Sequence, residues 1–215
     1  LDREALALMT DRAREFWHPL GDEWAGETVF LLGGGPSIAA VDLDRLRGRR
    51  AIAINALGHR APWADVLLFH DAQWFWRSKA LVDGWPGTVA TVSRAAKLAA
   101  PDRVRRLEIE PGAPLEPGRA PMRQGRSAGH TAVSLAACLG ASRIILLGYD
   151  MRTVDGRTHG HDDYAERDHD IYAREFIPAF RGWNAAAKAA GVEILNATPG
   201  SALSEFPTVD LDGVL

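Results

Sequence analysis

The 215 residues include 47% hydrophobic side chains, enough to bury one full core. A formal net charge of -3 excludes a global pull toward nucleic acid or an anionic membrane. The lone cysteine, Cys138, excludes an intramolecular disulfide, and no apolar run is as long as a membrane span, so a cytoplasmic protein is expected.

Residues 2–17 set Ala5, Leu6, Met9, Ala13 and Phe16 near helical spacing among Asp, Arg and Glu, and 1–26 reads as an N-terminal helical extension. Val29-Phe30-Leu31-Leu32 predicts a strand, followed by Gly33-Gly34-Gly35-Pro36-Ser37 and a short helix near 36–46. A second strand is expected over 51–55, ending on Asn55, and a third over 65–70, ending on His70-Asp71. The helix after it carries Trp74, Phe75 and Trp76; the stretch could stack on a sugar or base, but Trp74 and Phe75 read first as docking residues against the sheet. Further strands are expected over 88–92 and 106–110. Residues 111–126, rich in Pro and Gly and carrying Arg119, Arg123 and Arg126, read as a long loop, of a length that in compact domains often carries function.

A helix is expected over 128–140, a strand over 143–148 and a polar loop dense in His and Asp over 149–165. A long helix over 166–190 and a strand over 192–196 complete the pattern. This alternation predicts an α/β fold, a three-layer α/β/α sandwich around a Rossmann-like, mostly parallel sheet. A single domain is expected over 1–215, with the Rossmann-like core at 27–207.

The unusual residues fall where apolar runs end. In an open parallel sheet, ligands bind in the crevice beyond the carboxyl ends of the strands. Gly33, Gly34, Gly35, Ser37, Asn55, Asp71, Gly148, Asp150, Asn196 and Ser201 all occupy such positions, which predicts one pocket for a phosphate-bearing ligand. Pro36 suits the first helical position, and free amides at that helix start, with the Ser37 hydroxyl, could hold a phosphate. The loop lacks the lysine of a P-loop. Ile38 and Asn55 stand where a dinucleotide fingerprint needs glycine and an acid, so NAD is disfavoured.

A second helix start, Arg126-Ser127-Ala128-Gly129, offers the same chemistry beside Arg123. In the polar loop, His159 or His161 is a candidate general base. Asp150, Asp162 and Asp163 could hold Mg²⁺ on a phosphate. His159-Gly160-His161-Asp162 matches the start of a dinuclear metal motif, but Tyr164 replaces its final histidine, so no resident metal is expected.

Gly33-Gly34-Gly35-Pro36-Ser37-Ile38, Asn55, Ser127-Ala128-Gly129, Leu147-Gly148-Tyr149-Asp150 and Asn196-Ala197-Thr198-Pro199-Gly200-Ser201 occur in an order that resembles a known group. They are similar to the small bacterial sialyltransferases that use CMP-sialic acid. The resemblance extends equally to a broader superfamily, many of whose members are phage-borne, that includes the archaeal 6-hydroxymethylpterin diphosphokinases. It covers roughly residues 27–207.

The resemblance implies that Gly35 and Ser37 lie against the nucleotide phosphate, that Asn55 touches the nucleoside, and that Ser127 and Gly129 line the same pocket. It implies a histidine base, with His161 or His159 as counterpart, and a tyrosine on the leaving phosphate, with Tyr149 or Tyr164 as counterpart. The sialyltransferase loop has asparagine where this chain has Gly34. The function so implied is a glycosyltransferase using a nucleotide-activated sugar of the CMP type. An ATP-dependent pterin-type diphosphokinase, which would need Mg²⁺, and a non-catalytic, phage-associated nucleotide-binding protein are the alternatives. The expected partner is a nucleotide or nucleotide-sugar. Seven tryptophans, several beside charged residues, also fit a homo-oligomer interface.

Overall fold

The apolar runs predicted as strands are buried on both faces, the signature of a parallel sheet covered by helices on each side. The computed structural model describes residues 15–19, 22–111, 122–124, 126–161 and 170–215. Its strands are β1 (Thr28–Leu32), β2 (Arg50–Ile54), β3 (Val66–Phe69), β4 (Thr88–Thr91), β5 (Val104–Arg106), β6 (Ile109–Pro111), β7 (Met122–Gln124), β8 (Arg143–Leu147) and β9 (Glu193–Asn196). Seven of them form one sheet in the order β5-β4-β3-β2-β1-β8-β9, with every neighbouring pair parallel. β6 and β7 pair separately, also in parallel.

The helices are α1 (Leu57–Arg60), α2 (Ala72–Arg77), α3 (Lys79–Gly84), α4 (Arg94–Ala99), α5 (Ala128–Cys138), α6 (Ile177–Ala179) and α7 (Trp183–Ala189). Side chains alternate across each strand. Phe30, Leu32, Ala51, Ala53, Leu67 and Phe69 pack with Leu57, Trp74, Phe75 and Val82 on one face. Val29, Leu31, Ile52, Ile54, Ile144 and Leu146 pack with α5 and with Phe180 and Trp183 on the other. At about 1.5–3 kcal/mol for each fully buried aliphatic or aromatic side chain, these two layers dominate the folding energy. The three-layer α/β sandwich is therefore present, and Cys138 is buried within α5.

The order of the strands fixes where a site can form. From β1 the chain moves strand by strand to β5, then returns to place β8 and β9 on the other side of β1. The order of strand addition thus reverses between β1 and β8, and the crevice outside their carboxyl ends is the topological switch point. Leu32 is registered beside Leu147, so Gly33 and Gly148 leave the sheet side by side.

Several local expectations change. Residues 36–46 form two short 3₁₀ turns, Pro36–Ala40 and Leu43–Leu46, in place of one helix. Between them Val41 is extended, and Asp42 caps the second turn by accepting from the Asp44 amide. The strand expected over 106–110 divides at Leu107, whose amide bonds Thr91 while its backbone bridges Trp17, so β5 joins the main sheet and β6 leaves it. The helix expected over 166–190 is, in its described part, a π-helical stretch Tyr172–Phe176 running into α6, then a break at left-handed Gly182 before α7. Most of the predicted N-terminal helix, residues 1–14, lies outside the described residues. Among the described residues no helix is long and apolar enough to cross a membrane.

Candidate functional site

Beyond β1 and β8 the chain forms a pocket from segments far apart in sequence. Its walls include Gly33, Gly34, Gly35, Asn55, Asp71, Arg126, Ser127, Ala128, Gly129, Gly148, Tyr149, Asp150, His159 and His161, all expected from the sequence. His70, Met151, Thr158, Tyr172 and Phe176 also line it, although sequence reasoning did not select them as site residues. His70 could have been chosen, since it ends β3 as Asn55 ends β2.

Two loops meet in its floor. Gly148 has φ +69°, and a Cβ there would lie 2.3 Å from the Gly33 carbonyl oxygen. A Cβ on Gly35 would lie 2.1 Å from Asp150 Oδ2 and 2.6 Å from the Gly148 carbonyl oxygen. Only glycine permits backbones this close. The Gly35 amide donates to the Gly148 carbonyl at 2.8 Å, which ties the loops together.

Ser37 does not face the pocket as a phosphate ligand. Its amide and hydroxyl donate to the Asp150 carboxylate at 3.1 and 2.8 Å. The turn that was expected to bind an external anion is occupied by a carboxylate of the protein itself. Asp150 is 1% exposed. Burial raises its pKa above the usual carboxylate range, and the two bonds from Ser37 oppose that rise.

Asn196 and Ser201 are also structural and lie away from the pocket walls. Asn196 donates to the Leu203 carbonyl and accepts from the Thr198 amide. The Ser201 hydroxyl donates to the Tyr149 carbonyl and accepts from the Leu203 amide. The Asp71 carboxylate caps α2 by accepting from the Gln73 and Trp74 amides, although the residue touches the pocket. Tyr149 is a buried wall whose hydroxyl donates to the Gly129 carbonyl at 3.1 Å, and burial raises its pKa. Tyr164, Asp162 and Asp163 lie outside the described residues.

The start of α5 stays open. This helix crosses β8, β1, β2 and β3, with its first turn at the carboxyl edge of the sheet. The Ser127 side chain makes no capping bond to it. The first amides of an α-helix have no partner within the helix, so those of Ala128 and Gly129 are available to an anion, with exposed Arg126 at the rim.

The histidine segment lies across the glycine loop. The Gly160 amide donates to the Gly34 carbonyl at 2.9 Å, and the Tyr172 hydroxyl donates to the Thr158 carbonyl at 2.9 Å. The rings of His159 and His161 stack at 5.2 Å. His161 Nε2 lies 2.9 Å from where a Gly34 Cβ would be, so the missing side chain at 34 makes room for this imidazole.

At the neighbouring ends of β2 and β3, Asn55 Oδ1 and His70 Nε2 are buried without a hydrogen-bond partner. Asn55 also adopts φ 51°, a left-handed conformation that asparagine tolerates better than most residues. Burial pushes the His70 pKa down to about 4, so its imidazole is neutral at physiological pH. Among the described residues, no three His, Cys, Asp or Glu side chains converge as a metal site.

No family model matches this chain, and neither a curated protein nor a solved structure matches it.

Proposed function

We propose that this pocket binds a nucleotide-activated sugar, most simply of the CMP type, and that the protein is a transferase acting on it. The observation that carries the reading is the meeting, at the sheet's switch point, of an uncapped helix start with a pair of histidines held over a glycine loop. The Ala128 and Gly129 amides, with Arg126, suit the phosphate. Asn55, at the end of β2, suits the nucleoside, as the sialyltransferase resemblance implies.

In this reading His161 takes the proton of an acceptor hydroxyl as that oxygen attacks the donor's anomeric carbon. The bond from that carbon to the phosphate oxygen breaks, and the nucleoside monophosphate leaves on the helix start. With the Tyr149 hydroxyl donated to Gly129, stabilisation of the leaving phosphate falls to the α5 amides and Arg126.

Thermal shift against CMP, CDP, UDP, GDP and ATP, with and without Mg²⁺, tests the proposal. A ligand at about 100 times its Kd adds roughly 2.7 kcal/mol to apparent stability. A CMP shift independent of Mg²⁺ is the expected result. An ATP shift that requires Mg²⁺ would favour the diphosphokinase alternative. No shift with any nucleotide would remove the proposal.

A further inference from the structure

Behind the helix start lies a histidine that the proposed chemistry does not use. His130, three residues after Ser127 on the first turn of α5, is 0% exposed. Its ring stacks on Phe180 at 3.6 Å and meets the edges of Phe176 and Trp183. Nε2 lies 3.1 Å from the Phe176 carbonyl oxygen, and Nδ1 lies 2.9 Å from Ser127 Oγ. The Phe176 carbonyl faces His130 at the end of the π-helical stretch, where the Phe180 amide bonds the Ile177 carbonyl instead.

These contacts leave one arrangement of protons. Burial, with His70 as the nearby ionisable neighbour, pushes the His130 pKa down to about 3, so the ring is neutral. A carbonyl can only accept, so the ring proton sits on Nε2. Nδ1 is then a bare acceptor, and the Ser127 hydroxyl must donate to it.

We infer that His130 is a positioning residue that turns the Ser127 hydroxyl proton inward, so that Ser127 offers the pocket only oxygen lone pairs and accepts from a ligand hydroxyl. A phosphate oxygen, itself an acceptor, is repelled from that oxygen and directed to the neighbouring Ala128 and Gly129 amides. Given the nucleotide reading on which this rests, the donor group that meets Ser127 is a ribose hydroxyl. The same burial excludes a nucleophilic serine. A fully covered, weakly basic imidazole cannot pass a proton to a leaving group.

Two measurements test this on the full chain. Long-range ¹H–¹⁵N correlation spectra should show His130 as the Nε2–H tautomer, unchanged between pH 8 and pH 5, with its Nδ1 resonance moved in Ser127→Ala. An Nδ1–H tautomer, or titration near neutral pH, would overturn the inference. In parallel, calorimetry compares CMP with its 2′-deoxy and 3′-deoxy analogues. The wild type should prefer CMP over one of them by about 3–10-fold, the weight of one hydrogen bond.

Ser127→Ala and His130→Phe should bring that ratio to near one. His130→Gln, whose amide can accept from Ser127 and donate to Phe176, should restore it. A purely packing role would instead make Phe the better replacement. If CMP binds and the ratio survives in Ser127→Ala, the inference fails while the nucleotide reading stands. If no nucleotide binds, that reading fails, and with it the ribose assignment, while the spectra still decide the proton arrangement.

Discussion

Acid should destabilise this protein through two histidines that fold in their neutral form. In the unfolded chain His70 and His130 take up protons near pH 6.5, whereas in the fold burial delays protonation to about 4 and about 3. Between those limits the unfolded state binds more protons, so stability falls as pH falls. From about pH 7.5 to about pH 5, each group withdraws roughly 2 kcal/mol, and the pair ~4 kcal/mol. Asp150 works in the opposite sense. Its raised pKa lets the folded state take up a proton first, so its contribution grows on acidification and offsets part of the loss. The difference between wild type and His130→Phe removes that offset, because Asp150 is common to both. Urea denaturation across the pH range should show the variant less stable at neutral pH but flatter by about 2 kcal/mol, with m unchanged. Parallel curves for the two proteins would refute the account of His130 as a buried neutral ring.

Other substitutions separate structure from function. Ser37→Ala removes the 2.8 Å hydroxyl bond to the Asp150 carboxylate, so denaturant titration should show a loss of about 1.5–3 kcal/mol while calorimetry shows CMP affinity nearly unchanged. Gly35→Ala would set a Cβ 2.1 Å from Asp150 Oδ2, and circular dichroism melts should show severe destabilisation. Gly34→Ala meets only the end of the His161 side chain at 2.9 Å, so the melt should hold while turnover of a CMP-sugar falls. His161→Ala should lower turnover by ~10²–10⁴-fold and keep the CMP-induced thermal shift; if His159→Ala alone does so, the base is His159.

Much of the fold was legible because a buried parallel strand is written locally, as a short apolar run between turn residues. Val29-Phe30-Leu31-Leu32 and Ile144-Ile145-Leu146-Leu147 need no distant information to be read this way. Their adjacency does. Nothing near residue 143 states that the chain returns past four strands to lie beside β1. The break in the helix expected over 166–190 was written in Pro178 and Gly182, yet strong helical periodicity on both sides hid it. Ser37 shows a different limit. A Gly-Pro-Ser helix start is a sound local signal for an anion, but its anion is Asp150, 113 residues away. The i, i+3 spacing of Ser127 and His130 was readable once α5 was assigned, whereas the proton arrangement needed the Phe176 carbonyl from another element.

The glycine loop illustrates how one sequence signal can serve two demands. Gly33 and Gly35 are required by contact with Gly148 and Asp150, which would hold even if the pocket bound nothing. Glycine richness alone therefore says little about phosphate. Gly34 is different, because what occupies the space of its absent side chain is the imidazole of His161, within the pocket. The outer two glycines close the floor at the switch point, and the middle one admits a titratable group above it. The anion seat proposed for this protein then falls to α5, whose first amides receive no capping bond from the Ser127 side chain, which lies against His130 Nδ1 instead. A histidine buried out of reach of any ligand thus keeps the helix start open for one.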